Sequence, residues 1–376
     1  MFPPTLVVTA LVAAAAVSQQ GAAATKKLAQ PAPVPEYGLH QDLTYDGYAW
    51  RRAENIAAAS SVHAQISRNS LLWQKIEPEQ GVFDWTIPDA VVSDLGAKGI
   101  EPLFVVWGSP SWANGVPSTT PSSEDYVPTD PAAFKQWLGE YVTFIKAAVA
   151  RYRGRVEKWE IWNEENEHFT WKPAPSPTEY AGFFQAVRSA ILSVDPKAQV
   201  AIGGLTGLSA SSDIPGLTFL QSLVDMKVPF DYVAIHPYSS LGQSPKVHIA
   251  WQNNFDDIAA VHNLLVAAGR PVPLWATEWG WSSAQVGLDA QAQYVAQSLS
   301  LLKTEYPYVT VATYFLDVDR DTTYEQGLFD VNYNPKPAAS AFASFISSLR
   351  VKTHRADRPG DNAPLRAQAG FLRPEF

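Results

Sequence analysis

Two glutamates in the sequence follow short apolar runs that have the character of buried strands. Glu164 comes after the run 156–162 and Asn163, and Glu278 ends the run 273–278. Two carboxyl groups can cleave a glycosidic bond when one is protonated and donates its proton to the leaving oxygen. The other must be ionised, so that it can attack or stabilise the oxocarbenium-like carbon. The pair therefore indicates acid–base and nucleophilic chemistry on a sugar.

Further polar residues stand at the ends of other apolar runs. The run 62–68 ends at Arg68, and the run 231–236 leads through His236 to Tyr238. In a closed barrel of parallel strands, the carboxyl ends of all strands meet on one face, where such barrels build their active sites. We therefore predict that these side chains, together with Asn163, join the two glutamates in one pocket.

The apolar runs alternate with helix-like segments over residues 36–349. Asp130-Pro131, and Ser176 followed by Glu179, are helix-start signals ahead of apolar residues at helical spacing. Alternation of strands and helices predicts a parallel sheet, and eight units predict an α/β fold of the (β/α)8 TIM-barrel type. An open doubly wound sheet is the alternative, disfavoured because no glycine-rich phosphate turn follows the first strand. The predicted strands are 37–40, 62–68, 101–107, 156–162, 199–203, 231–236, 273–278 and 309–315.

The spacing of the two glutamates fits such a barrel. They are 278 − 164 = 114 residues apart, which is three units of 38 residues. That separation assigns Glu164 to the fourth strand and Glu278 to the seventh, on opposite sides of the barrel. Their carboxyl groups can then point into the same pocket.

Charge and composition exclude several classes of partner and site. The net charge of −9 argues against nucleic acid or an anionic membrane surface, because both require a basic footprint. The chain has no cysteine, which excludes disulfides, thiolate nucleophiles and cysteine-based metal sites. The histidines do not show metal-ligand spacing such as H-E-x-x-H, so we expect neither a metal nor another cofactor.

The two termini differ from the body of the chain. Residues 1–24 contain a 13-residue apolar run, Thr5–Val17, followed by small residues, which predicts a signal peptide and a secreted or periplasmic protein. This run is too short to stay in a bilayer as a spanning helix, so no membrane insertion is expected after its removal. Residues 25–35 have the composition of a linker. Residues 350–376 show little apolar periodicity and predict a disordered tail.

Four segments taken in order resemble clan A of the glycoside hydrolases, the retaining (β/α)8 enzymes. Within the clan, the sequence is most similar to family 39 and to family-5-like cellulase barrels, over residues 36–349. The resemblance implies that Glu164 is the general acid/base and Glu278 the nucleophile. The segments are Trp159-Glu-Ile-Trp-Asn-Glu-Glu-Asn166, Ala276-Thr-Glu-Trp-Gly-Trp281, Arg68 through Trp85, and Gly327 through Phe342.

The resemblance also implies roles for the neighbours of the two acids. Asn163 would hold the 2-hydroxyl of the sugar, Arg68 and Tyr238 would bracket the nucleophile, and His236 would line the same subsite. The carboxyl groups would then lie ~5–5.5 Å apart, and the anomeric configuration would be retained. A sugar that captures the covalent intermediate in place of water would turn the same site into a transglycosylase.

Some residues at the site have alternative interpretations. Glu160 lies on the same strand face as Glu164 but one layer deeper, so we interpret it as a structural carboxylate that can pair with Arg68. Glu165 stands where the clan usually has proline, and it suits a helix N-terminal acid. Tryptophans at strand ends or in the following loops could stack on sugar rings. They are Trp107, Trp112, Trp162, Trp279 and Trp281.

A non-catalytic carbohydrate-binding barrel is the alternative function, motivated by Glu165 and by the altered end of the eighth strand, where the clan often has a tryptophan. The sequence leaves the sugar and its linkage open, because both depend on long loops such as 108–129 and 238–246. The choice between endo and exo action depends on the same loops, and the oligomeric state is also left open.

Overall fold

The computed structural model describes residues 35–356, except for 45–50, 212 and 321–324. Within these residues, eight parallel strands close into a barrel in their sequence order. This confirms the predicted α/β fold of the (β/α)8 type. The strands are β1 Glu36–His40, β2 Ile66–Leu72, β3 Glu101–Trp107, β4 Lys158–Asn163, β5 Gln199–Leu205, β6 Tyr232–Ile235, β7 Leu274–Ala276 and β8 Val309–Tyr314.

Helices follow the strands and cover the outside of the barrel. Among them, α2, α4 and α9 are single turns in the loops on the carboxyl side of the strands. The helices are α1 Arg52–Ser61, α2 Trp73–Ile76, α3 Thr86–Ala97, α4 Ser111–Asn114, α5 Pro131–Tyr152, α6 Pro177–Val194, α7 Gly216–Asp225, α8 Asp257–Ala267, α9 Ser283–Val286, α10 Leu288–Thr304 and α11 Pro337–Ala356.

The two predicted helix starts are confirmed. Asp130 is the N-cap of α5, and its carboxylate accepts hydrogen bonds from the backbone N–H groups of Ala132 and Ala133. The hydroxyl of Ser176 accepts a hydrogen bond from the backbone N–H of Glu179 at the start of α6. In both helices proline occupies the first turn, where a missing N–H costs nothing. These caps fix the helices that flank β4, the strand that leads into Glu164.

The prediction for the second strand was wrong in its boundaries. Val62 is not the start of a strand but the C-cap of α1, and His63 after it adopts a positive φ of 60°. The strand itself continues through Ser70 to Leu72. Arg68 therefore lies in the interior of β2 and not at its end. This shift by four residues places its guanidinium deep in the barrel.

The barrel interior has an apolar floor. A small cluster of buried side chains from six strands fills it, separate from the large core between the barrel and its helices. On β2 and β4, inward-facing residues further along the strand are Arg68 and Glu160, because side chains alternate between the two faces. The polar layer above the floor is therefore where the chemistry can be located. The floor residues are Ile66, Leu103, Ala201, Ala234, Trp275 and Val311.

The predicted signal peptide, residues 1–24, lies outside the described residues, as does the predicted linker 25–35 apart from its last residue. At the other end, α11 continues to Ala356, beyond the barrel boundary predicted at residue 349. The rest of the predicted tail is outside the described part. None of the helices in the described residues combines the length and apolar character that crossing a bilayer requires.

Candidate active site

The two predicted acids lie just beyond strand ends on the carboxyl face of the barrel. Glu164 directly follows the last residue of β4, and Glu278 comes two residues after β7. Glu164, Glu278 and His236 each offer one ligand-type atom within 4.8 Å of the others. The sequence spacing thus brings the two carboxyl groups together from opposite sides of the barrel.

Glu278 is held by hydrogen-bond donors at both carboxylate oxygens. The guanidinium of Arg68 donates to Oε1 at 2.6 Å, and the hydroxyl of Tyr238 donates to Oε2 at 2.9 Å. His40 Nδ1 and His236 Nε2 lie 4.0 and 3.8 Å from Oε1. The structure therefore places Arg68 and Tyr238 around Glu278, in the arrangement that the family resemblance implied.

Arg68 connects several side chains that converge in the barrel interior. It donates to both oxygens of Glu160, at 3.0 and 2.8 Å, which confirms the predicted pairing of these residues. It also donates to Asn163 Oδ1 at 2.8 Å. Arg68 and Glu160 are both fully buried. A buried charge pair of this kind holds its geometry firmly, since neither partner can be left alone without a large penalty.

Glu164 has a different environment from Glu278. Its backbone adopts a positive φ of 53°, which is uncommon for a residue with a side chain and occurs at strained functional turns. Its Oε1 lies 2.8 Å from His236 Nδ1, and its side chain is 16% exposed to solvent. The carbonyl of Glu164 accepts a hydrogen bond from the Thr170 hydroxyl, which helps to hold this turn.

Nearby positive charge sets the ionisation of the pocket. Burial alone raises the pKa of Glu278, but the charges of His236 and Arg68 lower the pKa below its usual value. Burial also opposes charge on His236, yet the carboxylates of Glu278 and Glu164 raise its pKa. Glu278 is therefore ionised near neutral pH, which is the state that a nucleophilic carboxylate requires.

Glu164, His236 and Glu278 also have the atom types and proximity of a cation site. The guanidinium of Arg68 already supplies a positive charge 2.6 Å from Glu278 Oε1. A second cation at the same carboxylate would be repelled by it. The geometry therefore favours an acid pair over a metal centre, and the absence of a metal stays a prediction.

The first strand contributes site residues that the sequence reading missed. His40, at the end of β1, lies 2.7 Å from a guanidinium nitrogen of Arg68 through Nδ1 and 2.9 Å from Asp42 through Nε2. Asp42 in turn accepts hydrogen bonds from Ser70 and Arg320. The signal was present in the sequence, because His40 ends a strand as Asn163 does.

A cavity of about 430 Å³ lies beside this first-strand cluster. It is lined by residues of the loops that follow β1 and β8, including Gln41, Asp317 and Arg320. The Gln41 amide donates to Asp317 at 2.9 Å, which ties the two loops together. The altered eighth-strand end that the sequence indicated thus forms a wall of a cavity on the carboxyl face of the barrel.

The structure corrects the prediction that tryptophans at the strand ends stack on a sugar. Trp162, Trp279 and Trp281 are buried in the core around the barrel. A sugar ring stacks only on an exposed aromatic face, so these three rings cannot act as platforms. Trp107 and Trp112 are half-buried, and stacking by them stays a prediction.

Glu165 points into a different part of the fold from Glu164. It is fully buried, and a Cβ at Gly203 on β5 would overlap with its Oε2. No helix begins at this position, so the helix N-terminal interpretation is wrong. Neither carboxylate oxygen has a hydrogen-bond partner of good geometry among the described residues, although the Tyr180 hydroxyl acts to lower the pKa of this group. Burial, with the charges of Glu160 and Glu164, raises the pKa of Glu165 to about 8.

The raised pKa of Glu165 predicts how the stability of the folded protein changes with pH. Between the pKa of an unfolded glutamate, about 4.3, and about 8, the folded chain binds a proton that the unfolded chain releases. Stability should therefore fall as pH rises across this window. In Glu165→Gln the neutral amide removes this linkage, so the melting temperature relative to wild type should increase by several degrees from pH 5 to pH 8.

Thermal denaturation at steps of half a pH unit measures this trend. The exposed control Glu54→Gln on α1 should follow wild type at every pH. A constant difference between Glu165→Gln and wild type across the range would show that Glu165 is ionised in the folded protein.

Comparison with protein-family models identifies the family of this chain. The model of "Glycosyl hydrolases family 39" matches residues 40–357. A β-xylosidase from Geobacillus stearothermophilus is 25% identical in an alignment over 318 residues, and the alignment covers 75% of this chain and 60% of the xylosidase. Endo-1,4-beta-xylanase 3 from Hypocrea jecorina is 24% identical over 312 residues, covering 79% of each chain.

Solved structures share the fold. A family 39 glycoside hydrolase from Bacteroides cellulosilyticus WH2 superposes with a TM-score of 0.66 and 20% identity. The match covers 84% of this chain and 64% of that protein. The chain thus spans less than two thirds of this structure and of the β-xylosidase, both of which extend beyond the matched region.

Proposed function

Because the chain belongs to glycosyl hydrolases family 39, we propose that it is a retaining glycoside hydrolase that works by double displacement. This family match also confirms the resemblance to clan A. The observation that supports the mechanism is the close approach of Glu164 and Glu278, in which one carboxylate oxygen of each lies within 4.8 Å of the other. Retaining enzymes have carboxyl groups ~5–5.5 Å apart, whereas inverting enzymes need ~6.5–9.5 Å to admit a water molecule.

The different environments of the two acids support their roles. Glu278 is kept ionised by cationic neighbours and attacks the anomeric carbon. Glu164, in its protonated form, donates to the glycosidic oxygen as the bond breaks. In the second step Glu164 removes a proton from water, which attacks the same carbon and releases Glu278. Two inversions at one carbon retain the configuration.

The hydrogen bonds at the site also support how the sugar is held. Asn163 Oδ1 accepts from Arg68, which leaves the amide nitrogen as the group available to a sugar hydroxyl. Arg68 and Tyr238 fix both oxygens of Glu278 and orient the carboxylate for attack. Arg68 is thus a positioning residue in this proposal, and Asn163 contacts the substrate.

The substrate that we propose is a β-1,4-linked xylose chain. Two of its relatives, a β-xylosidase and an endo-1,4-β-xylanase, support xylose as the sugar. The net charge of −9 suits a neutral polysaccharide better than an acidic one, because like charges repel at the protein surface.

Proton NMR of the hydrolysis of an aryl β-xyloside tests this proposal. We expect the β-anomer of xylose to appear first and the α-anomer to follow only through mutarotation. Initial release of the α-anomer would show inversion and overturn the mechanism. If the protein releases no product from xylosides but cleaves another aryl glycoside of a panel, xylose is not the sugar. The same NMR experiment on that other glycoside would then test retention.

A further inference from the structure

Three consecutive loops on the carboxyl face form a continuous edge beside the acid pair. They are residues 164–176 after β4, 206–215 (apart from 212) after β5, and 236–256 after β6, and together we name them the rim. Because β4, β5 and β6 are neighbours in the barrel, their loops are neighbours as well.

Side-chain hydrogen bonds hold the first two loops of the rim together. The Ser211 hydroxyl donates to Glu167 at 2.6 Å. Asp213 accepts from the backbone N–H of His168 at 3.0 Å and lies 2.6 Å from its ring Nδ1. The turn that carries Glu164 is thus fixed to the loop after β5.

Asn253 fixes the third loop to the second. Its Oδ1 accepts from the backbone N–H groups of Ser209 and Ala210, and its amide donates back to the carbonyl of Ala210. Asn254 closes the loop internally by accepting from the backbone N–H of Ile249 at 2.8 Å. The rim is therefore an ordered surface in which hydrogen bonds connect each loop to the next.

This surface presents two large aromatic side chains to solvent. Phe169 is 46% exposed, and Trp251 is 91% exposed. An exposed indole gains almost nothing for folding, because it buries almost no apolar area. Trp251 also has a φ of 67°, a conformation that bulky residues rarely adopt and that persists only where the surroundings enforce it. The same loop exposes Leu241 and Val247 as well.

The rim is continuous with the catalytic residues. Phe169 lies in the turn that Thr170 closes onto the carbonyl of Glu164. The loop that carries Trp251 also contains Tyr238, whose hydroxyl donates to Glu278. A sugar chain that leaves the acid pair on this side therefore runs over the rim.

We propose that Phe169 and Trp251 form a saccharide-binding surface for sugar units beyond the cleaved bond, so that the protein acts on polymeric chains. The inference rests on the proposed function, and its ligand is a neutral β-linked polysaccharide. Aromatic rings bind such chains because the apolar face of a pyranose packs on the ring while its hydroxyls stay in water. Apolar groups exposed at the mouth of a site are typical of binding surfaces.

Kinetics with substrates of two lengths test the surface. In Trp251→Ala, the ratio of kcat/KM on soluble xylan to kcat/KM on an aryl β-xyloside should fall about tenfold. Met226→Ala is the matched control, since Met226 is also exposed but caps the end of α7 on the opposite face of the barrel. This control should leave the ratio unchanged.

Binding without turnover gives a second measurement. In the inert Glu278→Ala background, migration through a native gel that contains soluble xylan should be retarded, and adding Trp251→Ala should remove most of the retardation. If Trp251→Ala leaves both the kcat/KM ratio and the gel retardation unchanged, and wild type cleaves the aryl xyloside, then only the proposed saccharide-binding surface is wrong. Failure of wild type to cleave any aryl glycoside would overturn the proposed function, while retardation would still report the surface.

Discussion

Replacing Glu278 by alanine should lower kcat on an aryl β-xyloside by at least about 10⁴-fold, because the covalent intermediate can no longer form. The change also leaves space beside Arg68 and Tyr238, where a small anion can bind. Added azide should therefore restore part of the release of the aryl group. The product should be the α-xylosyl azide, since a single displacement inverts the anomeric carbon. Absorbance of the released aryl group and NMR of the product measure both effects.

The matched control for this experiment is Glu54→Ala, which removes an exposed carboxylate on α1 and should retain wild-type kcat. Wild-type turnover in Glu278→Ala would remove this residue from the nucleophile role. A wild-type protein that binds xylan but releases no product from any substrate of the panel would instead favour the non-catalytic carbohydrate-binding barrel. Rescue by azide separates loss of the nucleophile from loss of the fold.

Much of the fold could be predicted from sequence because the signals are local. The run 101–107 matches β3 residue for residue, and Asp130-Pro131 marks the start of α5. The 114-residue spacing of the glutamates assigned them to β4 and β7, since each strand–helix unit uses a similar length of chain. Polar residues that follow buried strands then had to converge, because parallel strands share one carboxyl face.

The depth of a side chain in the barrel and its exposure to solvent could not be predicted in the same way. Strand periodicity gives the face of a side chain but not its height in the barrel, so Arg68 was expected at a strand end although it lies within β2. The tryptophans after β7 were expected in the pocket, but side chains from other elements pack on them. Tyr314 of β8 packs on Trp279, Tyr294 of α10 packs on Trp281, and Phe255 of the loop after β6 contacts both. Burial by distant segments has no local sequence signal.

The two adjacent glutamates after β4 show the same limit. Glu164 faces the pocket and Glu165 faces Gly203 on β5, although they are neighbours of the same type. The positive φ of Glu164 sets this turn, and no sequence pattern specifies it. A glycine pair in β5 was the available signal, because Gly203 and Gly204 leave room for Glu165 and His236 respectively.

Arg68→Met should destabilise the protein by about 3–5 kcal/mol, because Glu160 would remain buried without its cationic partner. In the variant, Glu160 keeps a weaker hydrogen bond from the Thr277 hydroxyl, which lies 3.3 Å from its Oε1. The melting temperature should fall by roughly 6 °C. Activity should fall as well, because Glu278 loses the guanidinium that lowers its pKa. Thermal denaturation and aryl-xyloside kinetics measure the two effects separately.

The double variant Arg68→Met/Glu160→Leu separates the structural role of Arg68 from its role at Glu278. Removing both members of a buried ion pair costs less than removing one, so the double variant should be more stable than Arg68→Met by at least about 1 kcal/mol. Its activity should stay as low as that of Arg68→Met, because Glu278 still lacks the guanidinium. The control Arg52→Met breaks a partly exposed pair with Asp94 and should cost less than about 1 kcal/mol.

Recovery of both stability and activity in the double variant would contradict a direct role of Arg68 at Glu278. If the double variant regains stability and activity in parallel, Arg68 acts only by supporting the barrel, and Glu278 does not depend on its charge. If stability returns and activity does not, the same guanidinium both neutralises Glu160 below the pocket and orients Glu278 within it. Arg68 would then be buried in the barrel interior because one cation serves a carboxylate of the core and a carboxylate of the active site.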